Sequence, residues 1–101
     1  MHMRLSQFER DTIVDQALEI FGSQTKVYLF GSRTDDSRRG GDIDLYIVPV
    51  NKDNLWRKEV RLHTQLQLIL GEQKIDIVVA IDSNRPIEQV AQLEGIELQF
   101  V

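Results

Sequence analysis

The run Asp42-Ile43-Asp44-Leu45-Tyr46-Ile47-Val48 constrains the fold more than any other part of the chain. Apolar and polar side chains alternate with the period of a strand, so Ile43, Leu45 and Ile47 share one face while Asp42, Asp44 and Tyr46 share the other. The first face demands an apolar layer beneath it. The second places two carboxylates close together, and because each opposes ionisation of its neighbour the pair favours a cation. An isolated D-x-D is more often a solvated strand end or a turn, so the pair alone decides nothing. Pro49 ends the strand.

The flanking sequence supplies the layer. Ser6-Gln7-Phe8-Glu9 reads as a capping box, and Ile13, Val14, Ala17, Leu18 and Phe21 recur at helical spacing up to Gly22, which predicts an amphipathic helix over 7–21 with a left-handed glycine cap. Val27-Tyr28-Leu29-Phe30 suits a short buried strand that stops at Gly31-Ser32. The segment from Arg33 to Gly41 has no apolar residue and reads as an exposed loop. Asp53 or Asn54 can cap a second long helix with an inner stripe of Leu55, Leu62, Leu66, Ile69 and Leu70, closed by Gly71. Lys74 to Ile81 returns to alternation, with Ile75, Ile77, Val79 and Ile81 on one side and Asp76, Val78 and Ala80 on the other. Pro86 opens a short helix to about Leu93, Gly95 stops it, and 96–101 can form a last strand.

At 101 residues the expectation is one domain over 1–101 with a single core. Hydrophobic residues at 42% and charged residues at 28% match an ordinary globular protein. No stretch approaches the ~20 apolar residues of a membrane span, and the start lacks the apolar centre of a signal peptide, so a cytoplasmic protein with no membrane partner is expected. The absence of cysteine removes disulfides, thiolate zinc sites and thiol nucleophiles together, leaving oxygen ligands or His2 and His63 for any metal. A net charge of -4 argues against free-standing nucleic-acid binding, but a small triphosphate can be held by local amides, a few cations and a metal.

Asp76 raises the interest of the Asp42–Asp44 pair. It lies between Ile75 and Ile77 in a run rich enough in branched residues to be a central strand, where a carboxylate is costly unless it is paired or bound to a metal. A structural bridge to Lys74 or to a helix arginine is one account. Convergence with Asp42 and Asp44 explains more: if the two strands are neighbours with their isoleucines towards the helices, the three acids meet on the opposite face in an all-oxygen environment that suits magnesium. Gly31-Ser32 adds a third element, since glycine allows close backbone approach to phosphate oxygens and serine offers a hydroxyl and an amide.

Together, Leu29-Phe30-Gly31-Ser32-Arg33, Gly40-Gly41-Asp42-Ile43-Asp44-Leu45 and Ile75-Asp76-Ile77 resemble the polymerase beta nucleotidyltransferase superfamily. More narrowly they are similar to the minimal nucleotidyltransferases, often encoded beside a HEPN-type helical protein in toxin–antitoxin pairs. The likeness covers nearly the whole chain. It implies an α/β (α+β) fold, a small mixed β-sheet with helices packed on one face, and transfer of AMP from ATP. It further implies that Asp42 and Asp44 bind both of two Mg2+ ions, that Gly31, Ser32 and Arg33 bind the nucleotide, and that Asp76 is the third metal ligand and serves the attacking hydroxyl.

Arg38 and Arg39 belong either to the phosphate site or to a solvated basic loop, and Asp35 and Asp36 put negative charge near the phosphates. His63 reads as a surface or packing residue, Phe100 as core, and Trp56 is open. The implied partner is a separately encoded HEPN-type protein whose hydroxyl accepts AMP, which would make the chain an antitoxin; a homo-oligomer is left open. The alternative is a non-catalytic binding module of the same fold that silences its partner by steric contact.

Overall fold

A computed structural model of the chain describes residues 5–31, 43–71 and 73–100. Seven elements follow in order: α1 (Gln7–Phe21), β1 (Lys26–Phe30), β2 (Ile43–Val48), α2 (Leu55–Leu70), β3 (Ile75–Val79), α3 (Pro86–Glu94) and β4 (Ile96–Glu97). The strands form one mixed sheet in the order β3-β2-β1-β4. β1 is antiparallel to both β2 and β4, whereas β2 and β3 are parallel. Parallel neighbours need a long crossover, and α2 provides it.

The capping box forms as expected: the Glu9 amide donates to Ser6 Oγ at 3.0 Å and the Ser6 amide donates to Glu9 Oε1 at 2.9 Å. Glu9 also accepts a hydrogen bond from Gln73 Nε2 at 3.0 Å, which ties the start of α1 to the approach to β3. Gly22 ends α1 at φ 121° and ψ 152°, a positive but extended conformation in place of the left-handed cap expected. α1 and α2 lie together on one face of the sheet and bury Ile13, Ala17, Phe21, Leu62 and Leu66 against Leu29, Ile43, Leu45 and Ile47. Each of these side chains larger than alanine contributes about 1.5–3 kcal/mol when fully buried. The short α3 adds a patch on the other face, where Ala91 packs against Phe30 and Tyr46 with Tyr28, Val48, Val78 and Ala80 at the margin.

Several local expectations need correction. Asn54 precedes α2 in the left-handed region at φ 55° without a side-chain cap, because Asn51 Oδ1 takes the Asp53 amide at 2.9 Å in a turn of its own. Ile69 is exposed, since the last turn of α2 presents Leu70 to the core in its place. The last strand is only Ile96–Glu97. Leu98 follows in a buried position, its amide donating to the Val27 carbonyl at 2.8 Å, and β1 begins at Lys26, so the chain runs out of pairing partners. Phe100 therefore lies past the sheet and is 54% exposed, not core. Trp56, left open by the sequence, is 76% exposed.

Candidate active site on the open face of β2 and β3

The face of β2 that carries Tyr46 also carries Asp44, and the parallel register pairs Asp44 with Asp76 as it pairs Tyr46 with Val78. Residues in register on neighbouring strands project to one side, and the strands themselves lie about 4.8 Å apart. The convergence expected if the two strands are neighbours is thus present for these two acids. Its cause is packing, because Ile43, Leu45, Ile75, Ile77 and Val79 all turn towards α1 and α2 and leave the odd-faced carboxylates outside.

One sequence expectation for Asp76 needs correction. Among the described residues β3 is an edge strand, not a central one, and Asp76 is exposed. The branched residues that suggested a central position are explained by α2 covering only one face of β3, where Ile75 and Val79 are buried. Asp76 consequently pays no large burial penalty, and its placement rests on register with Asp44.

Gly31 closes the third side. The β1–β2 register pairs Phe30 with Asp44, so the chain leaves β1 beside that carboxylate. Gly31 has φ 77°, a region that side chains rarely adopt, and a Cβ built on it would collide with Asp44 Oδ2. Only glycine lets the backbone run this close to the acid. The side-chain-free backbone at Gly31 therefore lies against Asp44, which is itself in register with Asp76 on the adjacent strand. All-oxygen donors of this kind fit a hard divalent ion such as magnesium.

Ser32, Arg33 and Asp42, with Arg38 and Arg39, lie outside the described residues. Among the described residues no group of three histidines, cysteines or acids that could hold a metal occurs. His63 is exposed on α2 and borders a groove with Asp76.

Sequence reading missed Glu88. It is 1% exposed on α3, and its carboxylate accepts from Tyr46 Oη at 2.8 Å, from the Ile81 and Asp82 amides at 3.1 and 2.8 Å, and from Arg85 Nε at 2.7 Å. Burial on its own would raise its pKa, but the two amides, Arg85 and Tyr46 outweigh it and hold the carboxyl down at about 2. Arg85 also donates to the Val79 carbonyl at 2.9 Å, and Gln92 Nε2 reaches Tyr46 Oη at 3.3 Å. The Tyr46 hydroxyl is pushed up by burial, with Gln92 opposing and Glu88 adding to the rise. This network pins the turn after β3, and so the strand bearing Asp76, to the strand bearing Asp44. A glutamate at the third position of a helix reads in sequence as an ordinary first-turn acid, so nothing flags it.

The family of "Polymerase beta, Nucleotidyltransferase" proteins matches residues 15–99. The comparison with curated proteins returns no match. Among solved structures, the chain is similar to one in the structure of a tri-AMPylated Shewanella oneidensis HEPN toxin in complex with MNT antitoxin, at TM-score 0.70 and 20% identity over 96% of this chain and 74% of that one. It is also similar to one in the crystal structure of a double Asp-to-Glu mutant of the toxin–antitoxin MntA-HpeT, at TM-score 0.65 and 19% identity over 96% of this chain and 75% of that one. At such identities the likeness is one of fold. No helix among the described residues is long and apolar enough to cross a membrane.

Proposed function

Because the chain belongs to the polymerase beta nucleotidyltransferase family, we propose that it is a magnesium-dependent enzyme transferring AMP from ATP to a hydroxyl on a separately encoded HEPN-type protein, and that it thereby serves as an antitoxin. The observation that carries this reading is the pairing of Asp44 with Asp76 on neighbouring strands, beside a backbone at Gly31 that admits no side chain. The tri-AMPylated toxin bound to an MNT antitoxin in a structure of similar fold supports the choice of AMP and of a protein acceptor.

Asp42, Asp44 and Asp76 are the residues that would hold magnesium, which when bound neutralises charge on the triphosphate and lowers the pKa of the acceptor hydroxyl. The chain's own contributions are distinct. Asp76 takes the proton of the attacking hydroxyl as the new oxygen–phosphorus bond forms at the α-phosphorus and the bond to the β-phosphate oxygen breaks, releasing pyrophosphate. Asp44, fixed between Phe30 and Asp76 in the sheet register, orients the nucleotide's end of the site. Gly31, with Ser32 and Arg33, binds the phosphates through backbone amides, a hydroxyl and a guanidinium.

The test is to incubate the protein with ATP, magnesium and the product of its neighbouring gene, and to follow the partner's mass. Gain of AMP by wild type and its loss with Asp76→Asn supports the reading. Neutralisation of the partner without modification, equal for wild type and Asp76→Asn, overturns it in favour of a steric binding module.

A further inference from the structure

The free edge of β3 has no role in that chemistry as described. β3 ends the sheet. Its ladder with β2 is bounded by hydrogen bonds from the Ile43 amide to the Lys74 carbonyl at 2.9 Å and from the Ala80 amide to the Ile47 carbonyl at 2.8 Å. Both backbone groups of a strand residue point the same way, so the even-numbered residues face β2 while Ile75, Ile77 and Val79 turn their amides and carbonyls outward. Arg85 covers the Val79 carbonyl. Among the described residues nothing pairs with the outward backbone of Ile75 and Ile77. Uncovered edges of this kind are templates for an added strand.

A groove follows this edge. One part, of about 350 Å³, is lined by Glu59, Val60, His63, Ile75, Asp76 and Ile77. A second part, of about 440 Å³, shares Glu59 and Ile77 and reaches Trp56, Ile81 and Ile87. The apolar end is accessible, with Ile81 62% exposed beside Trp56. Charge in the groove is one-sided: Arg85 is paired with Glu88, and apart from His63 the other ionisable side chains among the described lining residues are the carboxylates of Glu59 and Asp76.

We infer that the acceptor enters as an extended polypeptide segment added to the free edge of β3, its hydroxyl-bearing residue opposite Asp76 and a basic residue beside it facing Glu59. The inference rests on the reading that this chain transfers AMP to a polypeptide hydroxyl. Pairing geometry carries it: a residue opposite Asp76 on an added strand projects to the same face as Asp76, continuing the row that Asp44 and Asp76 already make. Its neighbour projects to the other face, where α2 presents Glu59 and Val60, and a lysine or arginine there meets a carboxylate with no ion pair among the described residues. Main-chain hydrogen bonds to Ile75 and Ile77 supply affinity and the groove supplies selectivity, the general logic of strand addition.

The experiment uses the full chain with magnesium, ATP labelled in the α-phosphate, and ten-residue synthetic peptides with one central tyrosine, serine or threonine and basic, neutral or acidic neighbours. Peptides with an adjacent lysine or arginine are labelled fastest. N-methylation of the alternate peptide amides that face β3 lowers labelling about tenfold or more, while methylation of the intervening amides does not. Glu59→Lys reverses the preference towards acidic neighbours and leaves magnesium–ATP binding by calorimetry unchanged. Ile77→Pro, which removes an outward amide that the ladder with β2 does not use and trims a side chain at the edge of the core, lowers transfer to peptides and to the neighbouring gene's product alike, with melting temperature as the control for folding. If AMP is transferred but neither methyl position nor Glu59→Lys alters the rate, the edge inference falls and the transferase reading stands. If no polypeptide is labelled while an RNA or a free nucleotide is, both fall.

Discussion

Replacing Glu88 with alanine removes the acceptor for four donors at once: the Tyr46 hydroxyl, the Ile81 and Asp82 amides and the Arg85 guanidinium. Two routes give the cost. Breaking a buried, hydrogen-bonded charge pair by deleting one partner costs about 3–5 kcal/mol. Independently, a carboxyl held at about 2 in the folded state against an ordinary 4.5 carries about 3 kcal/mol of linked stability. The routes agree, so Glu88→Ala is expected to lose about 3 kcal/mol, roughly 12–24 °C in melting temperature for a domain this small. Far-UV circular dichroism in urea is the suitable assay, because the exposed Trp56 reports folding poorly. The pH dependence fixes the cause. The folded value is depressed, so the unfolded state binds the proton more readily between the two values; the contribution is complete above about pH 4.5 and is lost as pH falls towards about 2. Wild type should therefore lose stability over that window more steeply than Glu88→Gln. Parallel pH profiles, with Glu88→Ala unfolding at the wild-type urea concentration, would refute the argument.

Other outcomes follow from the site. Gly31→Ala forces a Cβ into the Asp44 carboxylate at a positive φ, and is expected to cost about 1–3 kcal/mol in thermal melts and to abolish magnesium–ATP binding by calorimetry. Asp76→Asn should leave the melting temperature within a degree or two, because Asp76 is exposed, while lowering AMP transfer by about 10²-fold or more in a labelled-ATP assay. Magnesium with ATP at ~100 times the dissociation constant should add about 2.7 kcal/mol by differential scanning fluorimetry, and chelation should remove that gain. Tyr46→Phe, which deletes one donor to Glu88 and keeps the ring, should cost about 1–2 kcal/mol in urea.

Legibility followed the physics that local sequence can express. The capping box at Ser6 and Glu9, the helix over 7–21 and the alternation after Ile43 are short-range rules, and each appears where the residues predict it. The pairing of Asp44 with Asp76 followed from two alternations and one assumption of adjacency, which the parallel crossover satisfies. Strand order was not legible. Asp76 reads as a central-strand residue because β-branched content reports coverage of one face and says nothing of whether a further strand lies alongside. Phe100 reads as core only when alternation is extended past the point where β1 can pair with it. Glu88 is invisible in sequence because its four donors come from β2 and from the segment between β3 and α3, a set that only the folded chain assembles.

The edge position of Asp76 also bears on how a small catalytic unit can act on a large acceptor. Were β3 central, a fifth strand would cover the side from which a hydroxyl must approach, and Asp76 could serve only a small molecule entering over the open face. At the edge it faces solvent along two directions, the open face and the strand edge, while Asp44, one strand inward, is flanked by Phe30 and Asp76 in register. That asymmetry separates the work of the two acids: the inner one suits the nucleotide and the outer one suits the acceptor. Exchanging the two positions tests the division directly. Asp44→Asn should weaken magnesium–ATP binding as well as transfer, whereas Asp76→Asn should spare binding and lose transfer, so that the first raises the nucleotide KM and the second lowers kcat. Equal losses of nucleotide affinity in the two variants would mean that inner and outer acids share one task, and that the edge placement of Asp76 has no bearing on acceptor access.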